Sequence, residues 1–246
     1  MTRANRGAMV VLCAVILLSG AGGAAAGLWD ALKDRLLGSS PTQSAPLTTG
    51  EISQGLLQAL SVGAEKAVGR ASAAGGFLDN PTIHISLPKP LQRAGSTLRA
   101  VGLGTQVDEL ETALNRGAEK ASAQALPIFL TAIRQLTFQD VEAIWKGGDD
   151  AATRYLREKT GEPLFSAFEP VVHDAVREVG VTRLYDSLTA NPLARVALSG
   201  SDWNLDTYAT TKALDGVFTL LAEEEKKIRT DPVARTTELL QRVFGL

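Results

Sequence analysis

Sulfur and imidazole chemistry is almost absent from this chain. Among 246 residues there is one cysteine, Cys13, and there are two histidines, His84 and His173. Cys13 lies inside an apolar N-terminal run, so the chain beyond it forms no disulfide, thiolate nucleophile or cysteine metal site. Two histidines alone provide poorly for nucleophilic or zinc catalysis. No Gly-x-Ser-x-Gly elbow, His-Glu-x-x-His pair, Walker loop or dinucleotide fingerprint occurs either. Aromatic residues are scarce at 5%, and three Trp and three Tyr, widely scattered, do not compose a sugar cleft. A net charge of −2 and a pI near 5.8 give no basic field that would draw the chain to nucleic acid.

What is present is aliphatic. Hydrophobic residues make up 45% of the chain, and alanine and leucine dominate them. That balance argues for close-packed helices over a sandwich or barrel. The expected fold is all-α, a multi-helix bundle over residues 47–246, which is long enough for one real core.

The N-terminus carries a different signal. Arg3 and Arg6 precede an apolar run over residues 8–18, and small residues then lead to Ala24, Ala25 and Ala26. These are the parts of a secretory signal peptide over residues 1–26, with cleavage expected after Ala26 and a periplasmic destination. An apolar run of 11 residues is short for a bilayer, so no transmembrane span is expected after cleavage. Losing Arg3 and Arg6 takes 25 basic residues to 23 against 27 acidic ones, a mature charge of −4. Residues 27–46 read as a short amphipathic helix, with Leu28, Leu32 and Leu36 on one side, and then a flexible linker over 38–46.

Thr48 and Glu51 match a capping box that opens a helix carrying Ile52, Leu56, Leu60 and Ala64 on one stripe. Residues 56–67, LLQALSVGAEKA, return 54 positions later as LETALNRGAEKA, identical at eight of twelve places. This suggests a duplicated helical unit, in which Gly63 and Gly117 serve close helix crossings and Glu65-Lys66 and Glu119-Lys120 are solvated. Between the copies, residues 82–87 alternate with period two, so an extended, strand-like segment is expected to bury Ile83, Ile85 and Leu87 and leave His84 at the surface. Pro127 suits the first turn of a later helix with Phe129 and Ile133 inward. Pro170 is expected to break or kink a helix over 163–179, on which Glu169 and His173 stand four apart as a surface pair. Gly180 ends that helix and Thr182 caps another over 183–188. A long helix over 206–229 buries Leu214, Phe218, Leu221 and Ile228, leaves residues 223–227 solvated and pairs Glu223 with Lys227; a last helix fills 233–244.

The clearest start-stop-restart signal lies at 137–160. Thr137 caps a helix with Asp140 in its first turn; Gly147-Gly148 ends it in the left-handed region; Asp149 or Asp150 then caps the next by accepting from the amides of residues 151–153. Asp149, Asp150 and the nearby Arg154 carry two readings: two carboxylates that hold a cation or share a proton, or a cap beside a solvated acid.

TFQD at Thr137, GGDDAATRY at Gly147 and ALDGVFTLLAEEEKKIRTDP at Ala213 resemble the hallmark segments of a bacterial exported family, domain of unknown function 4197 (DUF4197). The likeness runs over residues 29–245, and it implies an all-helical exported protein with no assigned activity. Two functional expectations follow. The first is a binding or interaction module that offers an apolar groove or face to a lipid or other apolar small molecule, a peptide or an envelope protein, without a cofactor or a metal. The second is a carboxylate-based enzyme or divalent-cation site drawing on Asp149, Asp150 and Arg154 together with Glu223, Glu224 and Glu225.

Overall fold

Thr48 opens the first helix as its sequence dictates. Its hydroxyl accepts from the Glu51 amide, and the Glu51 carboxylate accepts from the Thr48 amide at 2.8 Å, which closes the capping box. The computed structural model describes residues 48–100, 102, 104–178, 204–235 and 237–245. The expected signal segment, N-terminal helix, linker, Gly180 stop and Thr182-capped helix lie outside the described residues.

The helices are α1 (Thr49–Ser72), α2 (Lys89–Ala100), α3 (Gly104–Ser122), α4 (Ala125–Arg134), α5 (Phe138–Lys146), α6 (Ala151–Glu178), α7 (Leu205–Thr230) and α8 (Glu238–Phe244), with a 3-10 turn at Pro232–Ala234. No strand occurs among the described residues, and the all-α expectation is borne out. The long helix α7 packs on α1, α6 and α3, while α3 also packs on α6, and α4 lies against both α1 and α6. Leu56, Leu114, Phe129, Phe168 and Phe218 fill the space between them, each at most 2% exposed. Burial of side chains this large stabilises by roughly 1.5–3 kcal/mol each.

The two repeated segments form α1 and α3 but are not equivalent. At Gly117 an added Cβ would stand 3.0 Å from the Ala175 Cβ and 3.5 Å from the Val172 Cα, so α3 and α6 cross closely there. Gly63 has more room, with Ile228 of α7 at 3.7 Å. Glu65 is exposed as expected, but Glu119 is buried, which corrects the solvated reading. The cause is local: Glu119 accepts from the amides of Phe77 and Leu78 at 3.2 and 3.1 Å and from Arg116 at 2.7 Å. Burial pushes its carboxyl pKa up, but Arg116 and the two amides outweigh that and hold it below the usual range.

The segment at 82–87 buries Ile83, Ile85 and Leu87 as expected, without a ladder. Asn115 of α3 supplies what a neighbouring strand would, accepting from the Ile85 amide at 2.8 Å and donating to the Ile85 carbonyl at 2.9 Å. His84 is not a free surface residue. Its ring nitrogens contact the Leu78 carbonyl at 2.9 Å and Glu111 at 2.8 Å. Burial lowers its pKa, and these two partners raise it by more, so the net shift is upward.

Two further expectations are corrected. α6 runs from Ala151 to Glu178 through Pro163 and Pro170, so neither proline breaks it. Both prolines are exposed, on the side of the helix away from the core. The last helix begins at Glu238 rather than at 233, because Asp231 and Pro232 first make a 3-10 turn and Thr237 then caps α8 through the Leu240 amide.

Candidate functional site

Thr137 and Asp140 form the expected capping box at the start of α5, with the Asp140 carboxylate 2.9 Å from the Thr137 amide. The end of α5 differs from expectation. Gly147 has φ −79° and ψ 177°, which is extended and not left-handed. Glycine is needed there for space: a Cβ would stand 2.5 Å from the Ala151 Cβ.

The restart at α6 also has a different cause. Neither Asp149 nor Asp150 caps it with its side chain. Glu225, reaching across from α7, accepts from the amides of Ala152 at 2.9 Å and Thr153 at 2.8 Å, and from the Thr153 hydroxyl at 2.8 Å. A carboxylate at a helix N-terminus also meets the favourable end of the dipole. Arg229 bonds the same Glu225 at 3.0 Å and donates to the Ile144 carbonyl at the end of α5 at 2.8 Å. One buried ion pair therefore pins both sides of the Gly147–Asp150 connection. A cavity of about 20 Å³ adjoins it, room for about one water and too small for a ligand.

Each acid expected at a site has its own place. Asp149 and Asp150 are exposed, and Asp150 pairs with Arg154 at 3.3 Å along α6. Glu223 pairs with Arg70 of α1 at 2.9 Å. Glu224 is buried, which corrects the solvated reading of residues 223–227, and it meets Arg70 at 2.8 Å and Lys227 at 2.7 Å. Lys227 thus serves Glu224, not Glu223. Burial raises the Glu224 carboxyl pKa, yet Lys227 and Arg70 bring it below the ordinary range. Among the described residues no group of three or more His, Cys, Asp and Glu stands together as metal ligands. His173 bonds Asp206 of α7 at 2.6 Å and faces Arg177 at 3.3 Å, while Glu169 is exposed. Asp149→Asn combined with Asp150→Asn should therefore shift the melting temperature by less than about 2 °C, and calcium or magnesium should not raise it.

A cleft elsewhere has the dimensions of a ligand site. It measures about 720 Å³ and lies between α4 and α6, with the start of α5 at one end. Sites for small molecules occupy about 300–1,000 Å³. Pro127, Ile128, Ala132 and Pro163 give it an apolar strip, and Asp140, Tyr155 and Lys159 stand together at the α5 end. Tyr155 donates to Asp140 Oδ2 at 3.4 Å, and the Lys159 ammonium lies 5.6 Å from the Tyr155 ring centre. Burial raises the Tyr155 pKa first, and the Asp140 charge raises it further. Hydrogen bonds from Thr137 hold Asp140 low.

Residues 46–245 match the family described as "Protein of unknown function (DUF4197)". The chain belongs to the DUF4197 family. No curated protein and no solved structure matches it. The DUF4197 match spans every helix described above, and the family description assigns no reaction, so the site rests on geometry. Among the described residues of this DUF4197 protein no helix is long and apolar enough to cross a membrane.

Sequence reasoning missed the cleft: it reads Pro127, Thr137 and Asp140 as helix-start residues, and the lining comes from separate helices. It also passed over Ser86 and Lys89, which have Ser-x-x-Lys spacing. Ser86 lies in the extended segment and Lys89 opens α2, so no single helical turn brings the two side chains together.

Proposed function

We propose that this DUF4197 protein is an exported, non-catalytic binding module whose ligand site is the cleft between α4, α5 and α6. The observation that carries the reading is the cleft itself: a ligand-sized volume lined by apolar and polar residues together. The state of those polar residues favours binding over acid-base work. A general acid or base works best with a pKa near the ambient pH. Here the phenol is pushed up and the carboxylate down, so Tyr155 stays a hydrogen-bond donor and Asp140 stays ionised. Export is favoured by the basic start, apolar run and small-residue end of residues 1–26.

The test is native mass spectrometry of the protein released gently from the periplasm of its own cell. The expected species begins at Gly27 and carries an adduct, and Thr131→Trp, which places an indole in the cleft from an exposed position, reduces the adduct. A full-length chain confined to the cytoplasm would overturn export. A bare mass for the wild type, or an adduct that Thr131→Trp leaves unchanged, would overturn the cleft as the site.

A further inference from the structure

The segment at 77–87 is fastened to α3 by Glu111, Asn115 and Glu119, whose spacing of four places them on one face of that helix. Glu119 accepts from the Phe77 and Leu78 amides, Asn115 serves both backbone groups of Ile85, and Glu111 meets His84. On its other side the segment reaches α7. Tyr208 donates to the Ser86 carbonyl at 2.8 Å, and Gly216 abuts Phe77 and Ile83. The segment is thus a strap across α3 and α7 that carries Phe77, Ile83, Ile85 and Leu87 into the core. None of its residues lines the cleft between α4 and α6, so its behaviour is independent of the reading of that cleft.

His84 is the fastener that titrates near neutral pH. Its Nδ1 stands 2.9 Å from the Leu78 carbonyl and its Nε2 2.8 Å from the Glu111 carboxylate, and both of those groups only accept. A neutral imidazole has one N–H and bonds one of them; the imidazolium has two and bonds both. His173 has the contrasting surroundings, the Asp206 carboxylate on one nitrogen and the Arg177 guanidinium on the other, which a neutral ring satisfies. The charges near His84 are set by α3 and its neighbours. Glu111 faces the ring, Glu119 further along α3 is paired with Arg116, and Arg99 of α2, which feels the Glu111 charge, is paired with Asp108. From α7, Tyr208 feels the Glu111 charge as well.

We infer that His84 is a pH-sensitive latch: as the imidazolium it fastens the strap to α3 through two charge-assisted hydrogen bonds, and on losing its proton it gives one of them up. Burial lowers the His84 pKa, and Glu111 and the Leu78 carbonyl raise it by more, so the folded value lies above the ordinary 6.5. The latch therefore contributes in full below 6.5 and is lost as pH rises through the folded value. Above that value the strap opens more often and bares the apolar face beneath Phe77, Ile83 and Ile85.

Nitrogen-15 NMR of the imidazoles, together with amide hydrogen exchange corrected for the intrinsic effect of pH, tests the latch in the purified protein over about pH 5.5–8.5. Both His84 nitrogens are expected to carry protons at the acid end, with a midpoint above 6.5. Protection of the Ile85 amide is expected to fall about tenfold across that midpoint, while Val217 in α7 stays unchanged. Glu111→Gln offers the ring an amide that can donate or accept, so the strap should stay fastened and the pH step should disappear. His84→Gln should give a flat profile, and His173→Gln should leave the step in place. A flat Ile85 profile in the wild type, a step that survives Glu111→Gln or His84→Gln, a midpoint at or below 6.5, or an equal loss of protection at Val217 would overturn the latch.

Discussion

Replacing Glu225 with alanine is expected to cost about 3–5 kcal/mol of stability, the range for removing one partner of a buried ion pair. Glu225 is 7% exposed, and the Arg229 side chain beside it is 12% exposed. The truncation leaves that guanidinium without a counter-charge and leaves the Ala152 and Thr153 amides without an acceptor. In a chain of this size the melting temperature should fall by roughly 10 °C or more. Urea unfolding of Glu225→Ala and Glu225→Gln against the wild type measures it, with the glutamine variant between the other two because it keeps one acceptor oxygen. A loss below about 1 kcal/mol for the alanine variant would mean that water or a local residue caps α6 as well as Glu225 does.

Asn115→Leu is expected to cost about 2–4 kcal/mol despite its similar volume. Asn115 is fully buried and serves both the amide and the carbonyl of Ile85. Leucine would leave both backbone groups unpaired in the interior, at about 1–3 kcal/mol each before relaxation. The loss should be local first. Hydrogen exchange at Ile85 should accelerate more than exchange in α7, because the segment at 82–87 is held by α3 rather than by a ladder. Equal acceleration throughout would show instead that the segment and the bundle open as one unit.

The helical architecture was legible wherever a single helix carries its own signal. Thr48 with Glu51 and Thr137 with Asp140 are capping boxes in sequence and in space. The buried stripe of α7 at Leu214, Phe218, Leu221 and Ile228 follows from period alone. Misreadings arose where a polar residue sits in an apolar register. Glu225 falls four after Leu221 and three before Ile228, so the period places it inside; the neighbouring charges masked this and made the whole run look solvated. Its partners, the α6 amides, are more than seventy positions away, and no local pattern reports a cap supplied by another helix.

Glu119 and Asn115 repeat the lesson on α3, where each serves backbone amides of residues 77–85. The unbroken α6 shows the converse, since tertiary packing on both sides outweighs what Pro163 and Pro170 cost locally. The cleft lay furthest from view. Ile128, Asp140 and Lys159 share the cleft only after α4, α5 and α6 pack, and the one motif among them, the Asp140 capping box, reports a helix start and not a cleft.

The most direct measurement is methyl NMR of the isoleucines during titration with decanoate, decyl maltoside and decyltrimethylammonium in turn. Ile128 lines the cleft, while Ile85 and Ile228 lie in other parts of the interior. The expected result is a saturable shift of Ile128 with whichever probe binds, while Ile85 and Ile228 stay in place. Saturable shifts at Ile228 or Ile85 with Ile128 unmoved would contradict the claim that the α4–α5–α6 cleft is where this protein binds.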